Sequence, residues 1–296
     1  MVATSEPQRT VAIALEIAAS RFEKARLVFG HGTHNAYDEA AWLMLHVLKA
    51  PIDTLQPLLQ RLLTASEQSA FDALVERRIN ERKPAAYLLQ EAWLGQYRFY
   101  VDERVIVPRS FIAELLQERL QPWVDQPGKR MEVLDLCTGS GCLAICAALN
   151  FPRAVLTAAD LSREALEVAK RNVRDYELES RITLFESDLF RQLPPQQYDI
   201  ILSNPPYVDA ASMSRLPREY RHEPRMSLAS GKDGLDAVRV ILRSARAFLK
   251  ERGLLIVEIG HNRSQLERTF PHLPFTWLEV SAGEQFVFLL TREQLL

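Results

Sequence analysis

Beyond residue 130, short apolar runs alternate with segments of helical period, and few folds can accept that alternation. A run that is apolar on both of its faces needs cover above and below, so such runs pair in parallel with helices packed on both sides. Strands are predicted over 131–136, 154–159, 182–185, 199–203, 254–259, 275–280 and 286–290, and helices over 142–149, 163–174 and 235–249. The result is an α/β chain with a doubly wound sheet of seven strands. Only a short turn containing Gly283 separates the last two strands, which should therefore pair antiparallel.

The chain before that point has a different period. Val11, Leu15, Ala18 and Phe22 recur at helical spacing, as do Ala40, Leu43, Leu45 and Val47 with Trp42. Thr64 and Glu67 form a capping-box pattern ahead of Phe71, Leu74, Val75 and Ile79. Residues 1–90 thus read as a helical bundle. From Ala92 the period drops to two: Tyr97, Phe99 and Val101 alternate with Arg98 and Tyr100, Asp102 and Glu103 offer a turn, and Val105, Ile106 and Val107 form a second arm ending at Pro108 and Arg109. A helix should follow, with Ser110 as its N-cap and Ile112, Leu115, Leu116 and Leu120 as its apolar stripe. Pro122, Pro127 and Gly128 then mark a boundary. Three segments are expected: a helical domain over 1–90, a β-hairpin with a linker helix over 91–128, and the α/β domain over 129–296.

Composition narrows the functional classes. A formal net charge of −2 and a pI near 6.3 lack the strongly basic balance of a protein that lives on nucleic acid. Three cysteines, no signal-peptide pattern and no apolar run near 18 residues point to a cytoplasmic protein with no membrane association. His31 and His34 lie three apart, but no further Cys, His or paired carboxylate stands near them at ligand spacing, and no metal is expected.

Ligands of open α/β sheets bind at the carboxyl ends of the strands, and the polar residues gather there. The first strand runs into Asp135-Leu136-Cys137-Thr138-Gly139-Ser140-Gly141, a glycine turn that opens a helix. Asp160, with Leu161 after it, ends the second strand where a carboxylate conventionally takes ribose hydroxyls, and Asp188 with Leu189 follows the third, placed for an adenine amino group. This is a nucleoside-binding arrangement; it lacks the full dinucleotide spacing and a Walker lysine. The fourth strand stops at Asn204-Pro205-Pro206-Tyr207. Two prolines cannot continue a ladder, and the carbonyls of Asn204 and Pro205 have no following amide hydrogen to occupy them. With the Asn204 side-chain oxygen as a second acceptor and Tyr207 to stack, the turn suits a planar NH2 group and hence methyl transfer to an amide or amino nitrogen. Each piece has a plainer reading as well, a tight turn, a helix cap or a strand stop. Cys142 and Cys146 share a helix face and read as packing residues. The stretch over 208–232 is long for a loop and falls beside this turn, which makes it a candidate lid or peptide groove.

The glycine turn over 135–141, Asp160, Asp188 and Asn204-Pro205-Pro206-Tyr207, in this order, resemble the class I S-adenosylmethionine-dependent methyltransferases that modify the side-chain amide of protein glutamine. Glu223-Pro224, Gly231-Lys232-Asp233-Gly234, the helical front and the hairpin are similar to that family too, so the likeness spans nearly the whole chain. The resemblance implies a seven-stranded Rossmann-like class I sheet, S-adenosylmethionine bound by Asp135, Thr138, Gly139, Ser140, Gly141, Asp160, Leu161, Asp188, Leu189 and Asn204, and an acceptor glutamine held by Asn204, Pro205, Pro206 and Tyr207. One branch of the family acts on peptide chain release factors and another on the large-subunit ribosomal protein numbered three. Residues 31–39 and 107–115 look like the ribosomal-protein branch, because Ser110, Phe111 and Ile112 depart from the Pro-Asp-Thr expected after Pro-Arg in the other. A protein substrate, free or in nascent ribosomal particles, is implied. A nucleic-acid adenine or cytosine methyltransferase is the rival, since an exocyclic amine offers the same planar NH2 once its base is flipped out.

Overall fold

The structure, a computed structural model, describes residues 8–295. It forms two compact units: one runs to Glu91 and also takes in Pro217–His222, and the other comprises Ala92–Leu216 and the chain from Glu223 onward. Among the described residues no helix is long and apolar enough to cross a membrane.

The first unit is built from α1 (Val11–Lys24), α2 (Ala36–Leu48), α3 (Ala65–Glu81) and the short α4 (Ala85–Leu89). Thr10, Asn35 and Thr64 cap the first three through side-chain oxygens that accept backbone N–H groups, and Thr64 with Glu67 completes the expected capping box. Val11, Leu15, Ala18 and Phe22 are buried as their spacing requires. On α3 the stripe departs from expectation: Arg78 is fully buried and Ile79 only half-buried. Its guanidinium donates from Nε to Glu39 Oε1 and from Nη2 to the Val28 carbonyl at 3.1 Å. Glu219, in the short 3-10 turn Glu219–His222, accepts from Val28 N at 3.2 Å and from Arg82 Nη1 at 3.1 Å, while Thr33 Oγ1 donates to Glu39 Oε2 at 3.0 Å. His31 is buried against the ring of Tyr220, with centroids 4.2 Å apart, whereas His34 is exposed. Among the described residues no group of three or more His, Cys, Asp or Glu is placed to hold a metal ion.

The second unit opens with β1 (Ala92–Leu94) and β2 (Tyr97–Phe99), an antiparallel pair closed at Gly95 and Gln96. The hairpin exists, but one arm lies earlier than the alternating pattern predicts. Residues 105–107 form no strand because their amides go elsewhere: Val105 N donates to the Asp102 carbonyl, and Val107 N donates to a Glu223 carboxylate oxygen. The helix α5 (Ile112–Gln117) follows, with Phe111 at the N-cap position rather than Ser110, whose hydroxyl donates to Glu258 at 2.6 Å. Leu94, Phe99, Ile112, Leu116 and Leu120 all bury in one core with the sheet.

The remaining elements are β3 (Glu132–Leu136), α6 (Cys142–Asn150), β4 (Val155–Asp160), α7 (Arg163–Asp175), β5 (Ile182–Glu186), β6 (Tyr198–Ser203), α8 (Ala210–Ser214), α9 (Asp236–Phe248), β7 (Leu249–Glu258), α10 (Arg263–Thr269), β8 (Thr276–Leu278) and β9 (Val287–Thr291). Seven strands stand in the order β5-β4-β3-β6-β7-β9-β8; the first five are parallel, β8 and β9 pair antiparallel as the sequence pattern predicts, and β9 also runs antiparallel to β7, a pairing the pattern does not give. Alternate residues serve opposite faces: Val133, Ile200, Leu202 and Ile256 enter the core shared with α5, α6 and α7, while Leu134, Ile201, Leu255 and Val257 enter the core shared with α9 and α10. The chain leaves β3 toward β4 on one side, and β6 returns on the other side of β3. That reversal opens a crevice at the carboxyl ends of β3 and β6.

The buried pair in the helical unit yields a direct test. Replacing Arg78 by Met leaves Glu39 and Glu219 buried without the guanidinium, a change expected to cost about 3–5 kcal/mol. Chemical denaturation of the full chain, followed by helical circular dichroism, should show an earlier loss of helical signal; an unchanged profile would mean that the ion cluster does not support the helical unit.

Candidate functional site

A cavity of about 310 Å3 lies over the crevice, within the size range of small-molecule sites. Its floor comes from successive strand ends: Cys137 and Gly139 after β3, Asp160 and Leu161 at β4, Ser187, Asp188 and Leu189 after β5, and Asn204 and Pro206 after β6. Ile106, Met226 and Ser227 approach from the loops, and Asp236, Ala237 and Val240 from the start of α9. Leu161, Met226 and Val240 are the exposed apolar residues of its rim, at 56 %, 48 % and 42 % exposure.

The glycine turn divides between lining and support. Gly139 has φ +55°, and a Cβ built there meets nothing within 4 Å, so its backbone lies open to space that a side chain would take up. Asp135, Thr138, Ser140 and Gly141 do not line the cavity. Asp135 is fully buried and accepts from Thr138 Oγ1 at 2.6 Å and from Ala144 N at 3.1 Å, which ties the strand end to the first turn of α6. Burial pushes its carboxyl up to about 7. The Ser140 carbonyl accepts from Asn172 Nδ2 at 2.9 Å, and at Gly141, φ +80°, an added Cβ would stand 3.2 Å from Ala169 Cβ, so glycine there lets α6 approach α7. Asp160 joins the two strand ends: Oδ2 accepts from Gly139 N at 2.8 Å and Oδ1 from Ser162 N at 2.9 Å. Burial raises its pKa, against the pull of those amides. The cap of α7 is Ser162 and not Asp160. Asp188 faces the cavity and pairs with Arg191 at 2.6 Å. Cys137 also lines the cavity, and burial holds its thiol far above the ordinary range, unlike a reactive thiolate.

Asn204 also borders a second, smaller hollow of about 20 Å3, which Pro205 and Tyr207 line together with Ile106, Arg109, Val208, Ser227 and Leu228. Pro206 faces the large cavity, Pro205 and Tyr207 the small one, and Asn204 both. Gly234, which the family likeness included, and Gly260 and Asn262, which no motif named, hold this turn. The Tyr207 carbonyl accepts from Asn262 Nδ2 at 2.7 Å; a Cβ on Gly234 would lie 2.4 Å from that carbonyl oxygen, and one on Gly260 would lie 2.6 Å from the Tyr207 ring. Gly260 and Asn262 follow β7, so the rule that strand ends carry the site was the signal that could have found them.

The insertion over 208–232 is pinned at its base, where Val208 N donates to the Leu228 carbonyl at 2.8 Å and Ser230 N to the Val208 carbonyl at 2.9 Å. Within it, Glu223 accepts from Val107 N at 3.0 Å and takes both Nη atoms of Arg109, one at 2.6 Å. From the other side Glu258, at the end of β7, accepts from Ser110 Oγ at 2.6 Å and from Phe111 N at 2.9 Å. Two buried carboxylates therefore hold the segment that carries Ile106 and Arg109 to the cavities.

Family models match in two places: the PrmC N-terminal domain over residues 14–89 and the Methyltransferase small domain over residues 112–218. The ribosomal protein uL3 glutamine methyltransferase of Neisseria meningitidis serogroup B is 57 % identical over 287 residues, covering 97 % of this chain and 94 % of that one. The chain belongs to the uL3 glutamine methyltransferase family. The similarly named protein of Burkholderia pseudomallei is 52 % identical over 302 residues, covering 100 % of this chain and 98 % of that one. Membership makes the chain a methyltransferase, and it is the ribosomal-protein branch to which residues 31–39 and 107–115 pointed. A crystal structure of the hMettl16 catalytic domain in complex with MAT2A 3′UTR hairpin 1 shares the fold, at TM-score 0.51 and 16 % identity over 86 % of this chain and 90 % of that one.

Two carboxyls of this uL3 glutamine methyltransferase fold make its stability depend on pH. Burial pushes Asp135 and Glu258 up to about 7, so the folded state keeps protons that the unfolded chain releases near pH 4. Their contribution is complete below about pH 4 and is lost as pH rises through about 7. The melting temperature should therefore fall between pH 5 and 8, and Asp135→Asn or Glu258→Gln should each flatten that slope. Equal slopes in wild type and both variants would refute the assignment.

Proposed function

We propose that the protein transfers a methyl group from S-adenosylmethionine to the side-chain amide nitrogen of a glutamine in ribosomal protein uL3. The observation that carries the reading is the position of Asn204, which borders both the nucleoside-sized cavity and the small hollow beside it. S-adenosylmethionine, when bound, supplies a methyl group activated by its sulfonium. Asp160 and Asp188 serve the ribose hydroxyls and the adenine amino group, Leu161 and Leu189 give apolar surface beside them, and the bare backbone at Gly139 allows close approach. Asp135, Thr138, Ser140 and Gly141 act at one remove by fixing the turn.

On the acceptor side the amide nitrogen is a weak nucleophile, because its lone pair is delocalised into the carbonyl. The Asn204 side-chain oxygen and the Pro205 carbonyl accept its two N–H groups and orient the lone pair, and Tyr207 packs on the amide plane. Pro206 holds the turn rigid behind them. The gain is positioning and electrostatics, and the proton leaves afterwards to water or a carbonyl. The helical unit and the insertion, which lie outside the shared chemistry, select the protein substrate in the cytoplasm.

Purified protein, labelled S-adenosylmethionine and uL3, free or within an assembling large subunit, provide the test. Methylation should fall on a uL3 glutamine and leave RNA unmodified; transfer to RNA alone would sink the proposal. Asp160→Ala should weaken cofactor binding by about 1.5–3 kcal/mol in calorimetry. Asn204→Ala should leave that binding largely intact while slowing transfer about 10²–10³-fold.

Substrate choice has its own test. Exchanging residues 1 to 128 for those of a release-factor glutamine methyltransferase should shift the preference from uL3 toward release factor, read by mass spectrometry of both proteins. A chimera that loses activity on both alike would confine the front of the chain to a supporting role.

A further inference from the structure

We infer that Glu223 is a positioning residue for methyl transfer, whose task is to hold Arg109 at the small hollow and offset its charge. The inference rests on reading that hollow as the acceptor site. Arg109 lines it together with Asn204, Pro205 and Tyr207, so a permanent cation stands where a neutral amide must react. As the amide nitrogen takes the methyl group it gains positive charge, which an unopposed guanidinium nearby would resist. A guanidinium donating to the amide carbonyl would also draw the nitrogen lone pair into the carbonyl and weaken the nucleophile.

The geometry counters both effects. The Glu223 carboxylate, its side chain fully buried, takes both Nη atoms of Arg109 in a bidentate pair, and Arg109 Nη1 is also turned back onto the Val107 carbonyl at 3.3 Å. The same carboxylate accepts Val107 N, so one side chain fixes the backbone of the segment and the direction of its cation. Glu223 comes from the insertion and not from the sheet. The acceptor hollow therefore gains its charge balance only when the insertion is seated, through the chain segment that also supplies Ser227 and Leu228 to its wall.

The experiment uses the full chain with Glu223→Gln, Glu223→Asp, Arg109→Met and the double variant Arg109→Met/Glu223→Gln, beside wild type and Asn204→Ala. Readouts are kcat and KM for the protein substrate and calorimetric Kd for S-adenosylmethionine. Glu223→Gln should lower kcat about 10²-fold with cofactor Kd within about threefold of wild type. Removing Arg109 as well should recover at least about tenfold of that loss, because the charge needing an offset is gone. Glu223→Asp, which keeps the charge, should stay within about tenfold of wild type; it decides the matter if Glu223→Gln proves unable to bind cofactor. A double variant as slow as Glu223→Gln, or an Asp variant no better than the Gln variant, overturns the inference. A fast Glu223→Gln beside a slow Asn204→Ala overturns it alone, whereas a fast Asn204→Ala overturns the acceptor-site reading and this inference with it.

Discussion

Two consecutive prolines at the end of a central parallel strand are the constraint on which the site depends. A strand in the middle of a sheet is held by hydrogen bonds on both sides, and β6 has β3 and β7 as neighbours up to Ser203. At Pro205 and Pro206 the chain has no amide hydrogen to give either neighbour and must leave the ladder. It leaves where β3 and β6 part company, which is where the crevice opens. The backbone carbonyls released there would be a liability in a core, and in the function proposed above they serve at the edge of a cavity as acceptors for a planar amide.

Carboxylates, three of them buried and Asp160 half-buried at the cavity, fasten the surroundings of that turn. Asp135 ties the end of β3 to the start of α6, Asp160 ties the end of β4 to the glycine turn, and Glu223 and Glu258 hold the segment over 107–111 from the insertion and from β7. Each accepts backbone N–H groups that the sheet and helices leave unpaired at their ends, and a carboxylate with several acceptor positions can serve two or three at once. The cost of removing such groups from water appears in the raised pKa values of Asp135 and Glu258. The helical unit solves a similar problem with the opposite sign: Arg78, buried on α3, reaches Glu39 and the Val28 carbonyl, and Glu219 meets Val28 N and Arg82.

Most of the sheet was legible in the chain, and so was the part of the candidate site written as a motif. Runs such as Tyr198 to Ser203 are apolar on both faces, and only a sheet covered by helices on both sides satisfies them; the capping box at Thr64 and Glu67 is similarly local. The glycine turn, Asp160, Asp188 and the Asn204 turn could be placed because strand ends in such a sheet converge by topology. The failures share one cause. Arg78, Ser110 and Val107 take partners remote in sequence, and within the glycine turn Gly139, Ser140 and Gly141 are set by Asp160, Asn172 and Ala169.

The sequence by itself determined the layered architecture, the polar residues at the strand ends and the family, because periodicity and short motifs are properties of neighbouring residues. Tertiary structure alone decided that Val107 gives its amide to Glu223 rather than to a strand, that the Ser110 hydroxyl donates to Glu258, and that Gly234, Gly260 and Asn262 seat Tyr207. It also decided that Arg109 meets its counter-charge beside Asn204. Those are pairings between groups more than 25 residues apart in the chain, and no local pattern encodes which buried acceptor an unpaired donor will find.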